Sequence, residues 1–99
     1  MKNPKVDLDS RIVCIYLKTL GMYCFEKINK KGKIAKTYRP PSVCGDSFSE
    51  AVDKANQEEG IKIKKTRFKT IVIDQTKYKN WNDYVTATFK KAQDENRIN

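Results

Sequence analysis

Ile61-Lys62-Ile63-Lys64, then Phe68-Lys69-Thr70-Ile71-Val72-Ile73, decide how the rest of the chain is read. Apolar and basic residues alternate at the period of a β-strand, whose successive side chains point to opposite faces. The phase then changes. Ile61 and Ile63 would share one face of a straight strand, and Phe68 and Val72 would fall on the other. A bulge or tight turn near Lys65-Thr66 resolves the conflict, giving two strands over 61–64 and 67–74. Lys62, Lys64, Lys65, Arg67 and Lys69 make this the densest basic run in the chain.

Working outward, residues 74–79 form a polar connector, and a helix opens after Asn80, which can cap it with Asp83 in the first turn. Trp81, Tyr84, Val85, Thr88, Phe89 and Ala92 recur at three- and four-residue spacing and read as a core-facing stripe. Upstream, Ser47-Phe48-Ser49-Glu50 fits a capping box at the start of a helix ending by Gly60, with Phe48, Ala51, Val52 and Ala55 on one face. That helix carries Glu50, Asp53, Glu58 and Glu59 against Lys54 alone. Phosphates would repel it, so the expectation sets it on the sheet face away from any anionic partner.

Residues 22–28 and 33–39 read as a hairpin joined by Asn29-Lys30-Lys31-Gly32, with Pro40-Pro41 ending the second strand. Lys27, Lys30, Lys31, Lys33, Lys36 and Arg39 cluster on it. Residues 11–17 are rich in β-branched side chains and read as a strand. A helix capped by Asp9 or Ser10 and stopped by Gly21 is the alternative. Residues 1–9 are expected to form a loose lead-in, and 95–99 a frayed end. The fold class is therefore α+β: one domain over 1–99, with a small antiparallel or mixed sheet backed by two helices in the order β-β-β-α-β-β-α.

Lys and Arg number 21 against 12 Asp and Glu, a net charge of +9 that favours an acidic partner. Histidine is absent, which removes the commonest general base and a common metal ligand. Cys14, Cys24 and Cys44 lack the close pairs of a zinc site and read as reduced thiols of a cytoplasmic protein. Asp46, Asp74 or Glu26, paired in space with a lysine, would be the acid of a metal-dependent nuclease centre, but each acid stands alone, as surface charge does. No glycine-rich phosphate loop and no membrane-length apolar run occurs. These features point away from an enzyme and from any cofactor or metal.

The lysine-rich hairpin and following helix over 22–57 resemble, in order and spacing, small three-stranded DNA-binding domains of the integrase amino-terminal kind. That resemblance implies a sheet entering the major groove with the helix behind it. The chain departs from the pattern in using lysine rather than arginine on the hairpin and in placing Trp81 outside the segment.

The functional expectation is a non-catalytic nucleic-acid-binding module, with DNA favoured over RNA. Its contacts would be Lys30, Lys31, Lys33 and Lys36 of the hairpin with Lys62, Lys64, Lys65, Arg67 and Lys69, all on one basic sheet face. Tyr23 and Phe25 would stack on bases if exposed. Lysine offers little bidentate base readout, so selectivity should be weak. The alternative is an interaction or inhibitor protein that binds an acidic surface or adds a strand to a partner's sheet. The oligomeric state stays open.

Overall fold

The computed structural model describes residues 2–38, 47–58 and 62–98. It shows a five-stranded antiparallel sheet and two helices, an α+β architecture. The strands are β1 (Lys5–Asp7), β2 (Ile12–Leu17), β3 (Met22–Ile28), β4 (Ile34–Tyr38) and β5 (Lys69–Thr70), in the spatial order β4-β3-β2-β1-β5. Helices α1 (Phe48–Glu58) and α2 (Trp81–Ile98) complete the fold.

Alternation along β2 explains the layering. Ile12 and Cys14 join Tyr23, Phe25, Ala51, Val52, Ala55 and Ile63 in a core beneath α1. Val13 and Ile15, between them in sequence, join Val6, Ile28, Ile71, Tyr84, Val85 and Phe89 in a second core beneath α2. Successive strand side chains face opposite ways, so the two helices cover opposite faces of the sheet. Residues 11–17 are thus strand rather than helix over the span of β2, because both faces need apolar cover.

Local signals account for the helix starts and the hairpin. Ser47 Oγ accepts the Glu50 N–H at 3.2 Å, and Asn80 Oδ1 accepts the Asp83 N–H at 2.8 Å. Gly32 supplies φ +82° at the β3–β4 tip, a conformation costly for residues with a Cβ. Asn29 Oδ1 accepts the N–H groups of Lys31 and Lys33 at 2.9 and 3.0 Å, closing that tip. Buried Thr88 donates its hydroxyl to the Tyr84 carbonyl at 2.8 Å.

Three expectations are corrected. Residues 1–9 are not wholly a loose lead-in: Lys5–Asp7 pairs with both β2 and β5, with Pro4, Val6 and Asp7 buried. The stretch 62–74 is not two strands. Only Lys69–Thr70 joins the sheet, and a 3₁₀ turn at Lys65–Arg67 stands at the break the phase change requires. Residues 95–98, expected as part of a frayed end, are helical, since α2 continues to Ile98. The expected features at Arg39, Pro40, Pro41, Cys44, Asp46, Glu59, Gly60 and Ile61 lie outside the described residues.

Residues 62–64 are held against α1 without a ladder. Asn56 Nδ2 donates to the Ile63 carbonyl and Asn56 Oδ1 accepts the Ile63 N–H, both at 3.1 Å. An aromatic series continues the contact: Tyr16–Tyr23, Tyr23–Phe48 and Phe48–Phe68 have centroids 5.0, 6.2 and 5.1 Å apart. On the other face, Lys91 donates to the Val72 carbonyl and ties the connector to α2.

Candidate nucleic-acid interface

Strand register brings the basic segments to one end of the sheet. β3 ends at Ile28 and turns through the tip. β1 and β2 turn through residues 8–11 at the same end, and the 3₁₀ turn at Lys65–Arg67 enters β5 there. Hydrogen bonds join the first two, and a long ion pair reaches the third. Lys27 Nζ donates to the Ser10 carbonyl at 3.0 Å, and Arg11 donates to the carbonyls of Ile28 and Asn29 at 2.9 and 2.5 Å. Arg67 Nε lies 3.9 Å from Asp9 Oδ2. Arg11 adopts φ 56° to make this junction, and its guanidinium lies 4.9 Å from the Phe89 ring centre.

The expected single basic sheet face is absent, because α1 and α2 occupy the two faces. The hairpin tip and β5 instead stand at opposite edges, three to four strand spacings apart, or about 14–19 Å at the usual spacing. What the fold builds is a rim rather than a face.

The structure sorts the basic residues by occupation. Lys65 Nζ pairs with Asp53 Oδ1 at 2.8 Å, so this lysine docks its segment onto α1. Arg67 is turned toward Asp9; both side chains are largely exposed, so that contact is weak. Lys30, Lys31, Lys33, Lys62, Lys64 and Lys69 are exposed, and among the described residues none has an acidic partner. Lys36 lies in β4 opposite Lys27. Lys90, which sequence reasoning missed, is exposed on α2. With Lys31 and Gln93 it lines a hollow of about 390 Å³ between the hairpin tip and the helix. Its only sequence signal was a polar position opposite the apolar stripe.

Tyr23 and Phe25 are corrected as stacking residues. They are 6% and 0% exposed beneath α1, and neither offers a ring face to a base. Their positions on β3 match that of Cys14 on β2, all toward the α1 core.

Beside β5 lies a second hollow of about 390 Å³, lined by Arg67 and Lys69 together with Asp7 and Asp9, and by Glu95 and Asn96 of α2. In this cleft two members of the basic run, Arg67 and Lys69, meet a concavity that Asp7 and Asp9 also line.

The titrating groups are structural. Burial raises the Cys14 thiol well above its ordinary value, with nearby Cys24 adding to the rise and Lys5 opposing it, so Cys14 stays protonated. Cys14 and Cys24 face opposite sides of the sheet and both are free thiols. Among the described residues no group of three His, Cys, Asp or Glu side chains converges as metal ligands. No helix among them is long and apolar enough to cross a membrane. Comparison with protein-family models, curated proteins and solved structures finds no match to this chain.

Proposed function

We propose that the chain is a small non-catalytic module that binds nucleic-acid backbone, DNA in preference to RNA, through the lysine rim at one end of its sheet. One observation carries the reading. Lys30, Lys31, Lys33, Lys62, Lys64 and Lys69 are exposed and without acidic partners among the described residues, while neighbouring basic groups are engaged in holding the fold. Unneutralised ammonium groups attract phosphate and gain affinity by releasing counterions from it. A rim of about 14–19 Å matches some four to six phosphates along one strand at the usual rise. Lysine contacts the backbone as a point charge and carries little sequence information. A cytoplasmic setting goes with this reading, where Cys14 and Cys24 stay reduced.

Binding of generic duplex and single-stranded DNA across a salt series tests the proposal. The logarithm of the association constant should fall linearly with the logarithm of salt concentration, by roughly 0.9 per duplex phosphate contacted. Absent binding at low salt, or a slope near zero, defeats the reading. Partners that survive nuclease treatment in a pull-down would instead favour an acidic protein surface on the same lysines.

A further inference from the structure

The two hollows differ in charge. Beside β5, Asp7, Asp9 and Glu95 outnumber Arg67 and Lys69, a lining of net negative charge that disfavours an anion. Between the hairpin tip and α2 the balance reverses: Lys31 and Lys90 line the hollow against Asp83 alone. Asp83 is already engaged, its Oδ2 accepting the Asn80 amide at 3.0 Å. Asp94 follows Lys90 by one helical turn, but no ion pair joins them. Arg11 adds positive charge nearby, its guanidinium 4.9 Å from the ring centre of Phe89, which is part of the lining. Gln93 contributes a side-chain amide that has no partner among the described residues. Two ammonium groups held beside one concavity repel each other, and an anion seated between them relieves that repulsion as it binds.

We propose that this hollow seats one nucleic-acid backbone phosphate shared by Lys31 and Lys90, an assignment that rests on the nucleic-acid reading above. Lys90 is then a contact of the rim, and the ligand's course leaves the sheet end at the hairpin tip to follow α2. Gln93 donates to a phosphate oxygen through its side-chain amide. Lysine suits the arrangement, because its flexible stem lets one ammonium group from each element reach the same phosphate oxygens. Lys91, the next residue along the helix, is not part of the seat. It donates to the Val72 carbonyl and is turned to the connector rather than to the tip.

Fluorescence anisotropy of a labelled generic duplex over a salt series tests the assignment, on variants shown by circular dichroism to be folded. Lys90→Gln and Lys91→Gln remove the same charge from adjacent positions of one helix. Lys90→Gln should reduce the slope by up to roughly 0.9, the share of one duplex phosphate, and Lys91→Gln should barely change it. Sharing also predicts coupling. The combined Lys31→Gln and Lys90→Gln protein should depart from the product of the two single losses in affinity by more than about twofold. Lys31→Gln combined with Lys69→Gln, at opposite sheet edges, should match its product within about that margin. Equal slopes for the Lys90 and Lys91 variants, with the parent still binding, overturn the seat and leave the lysine rim standing. A Lys31 and Lys90 pair whose losses simply multiply overturns the shared phosphate. If the parent binds at no salt concentration, the rim reading fails together with the hollow.

Discussion

Asn56 does with one side chain what a neighbouring strand would otherwise do for residues 62–64. Its amide meets both backbone groups of Ile63, which is 5% exposed. Removing the amide leaves a buried donor and a buried acceptor unpaired, each costing about 1–3 kcal/mol. Asn56→Ala should therefore lower stability by about 2 kcal/mol, shifting the urea midpoint with the slope m unchanged. Asn56→Asp, which keeps the acceptor and loses the donor, should fall between; an unshifted midpoint for Asn56→Ala would remove the amide from the argument. Asp74 acts on a smaller scale. Its Oδ1 accepts the Thr76 hydroxyl at 2.6 Å and the Thr76 N–H at 3.0 Å. The hydroxyl, then the amide, holds its carboxyl below the ordinary value. A carboxyl lowered on folding contributes stability above its unfolded value, near 4, and loses it as pH falls through the folded value. Thermal unfolding of Asp74→Asn, which retains a capping oxygen, should thus track the parent at acid pH and fall below it near neutrality. A difference that grows towards acid would contradict the sign.

At the scale of elements, α2 carries the packing of one whole sheet face. Phe89 is 2% exposed, shares its core with Val6, Val13 and Ile28, and lies beneath the Arg11 guanidinium. Phe89→Ala should cost about 3–5 kcal/mol, a large part of the ~5–15 kcal/mol available to a domain of this size. A urea midpoint that moves by much less would mean that α2 is not the main cover. This helix, α1 and the β3–β4 hairpin were legible because each combines a periodic apolar run with its own terminal signal: Asn80, Ser47 and Gly32. The stretch 61–74 was not, although its phase change was visible. Ile63 and Phe68 serve the core under α1, whereas Ile71 and Ile73 serve the core under α2. The turn at Lys65–Arg67 returns the chain to the α1 side at Phe68, and the change of face follows between Phe68 and Ile71; alternation alone cannot tell that interrupted course from a strand. Lys5–Asp7 was hidden for another reason. Three residues, one of them a buried aspartate whose Oδ1 accepts the N–H groups of Asp9 and Ser10, carry no strand pattern. The lysines of the candidate interface could be picked out by type. Which of them face acids depends on tertiary placement, so Lys65 opposite Asp53 could not be told from Lys64.

For the whole molecule, the question is whether two lysine groups at opposite sheet edges act together on one ligand. Lys30, Lys31 and Lys33 stand at the hairpin tip, and Lys62, Lys64 and Lys69 precede or enter β5. Each triple replaced by glutamine removes the same charge. So does a third triple, Lys18, Lys77 and Lys79, from the β2–β3 turn and from the connector between β5 and α2, outside both rim segments. If attraction were only to the net +9, all three sets would weaken binding alike. If the rim makes the contacts, the first two sets should each flatten the salt dependence, by roughly 0.9 in slope per lost duplex phosphate, and the third should barely change it. The two rim sets lie more than about 10 Å apart and share no partner, so their free-energy costs should add when combined. Lys65→Gln is the internal contrast. It removes a charge from the same run but one already held by Asp53, so its effect on the slope should be smaller than that of Lys64→Gln. Equal slopes for all the charge-matched sets, measured on proteins shown by circular dichroism to be folded, would reduce the rim to general electrostatic attraction. A loss confined to the β5 set would place the ligand on that edge alone, beside the cleft of Arg67 and Lys69.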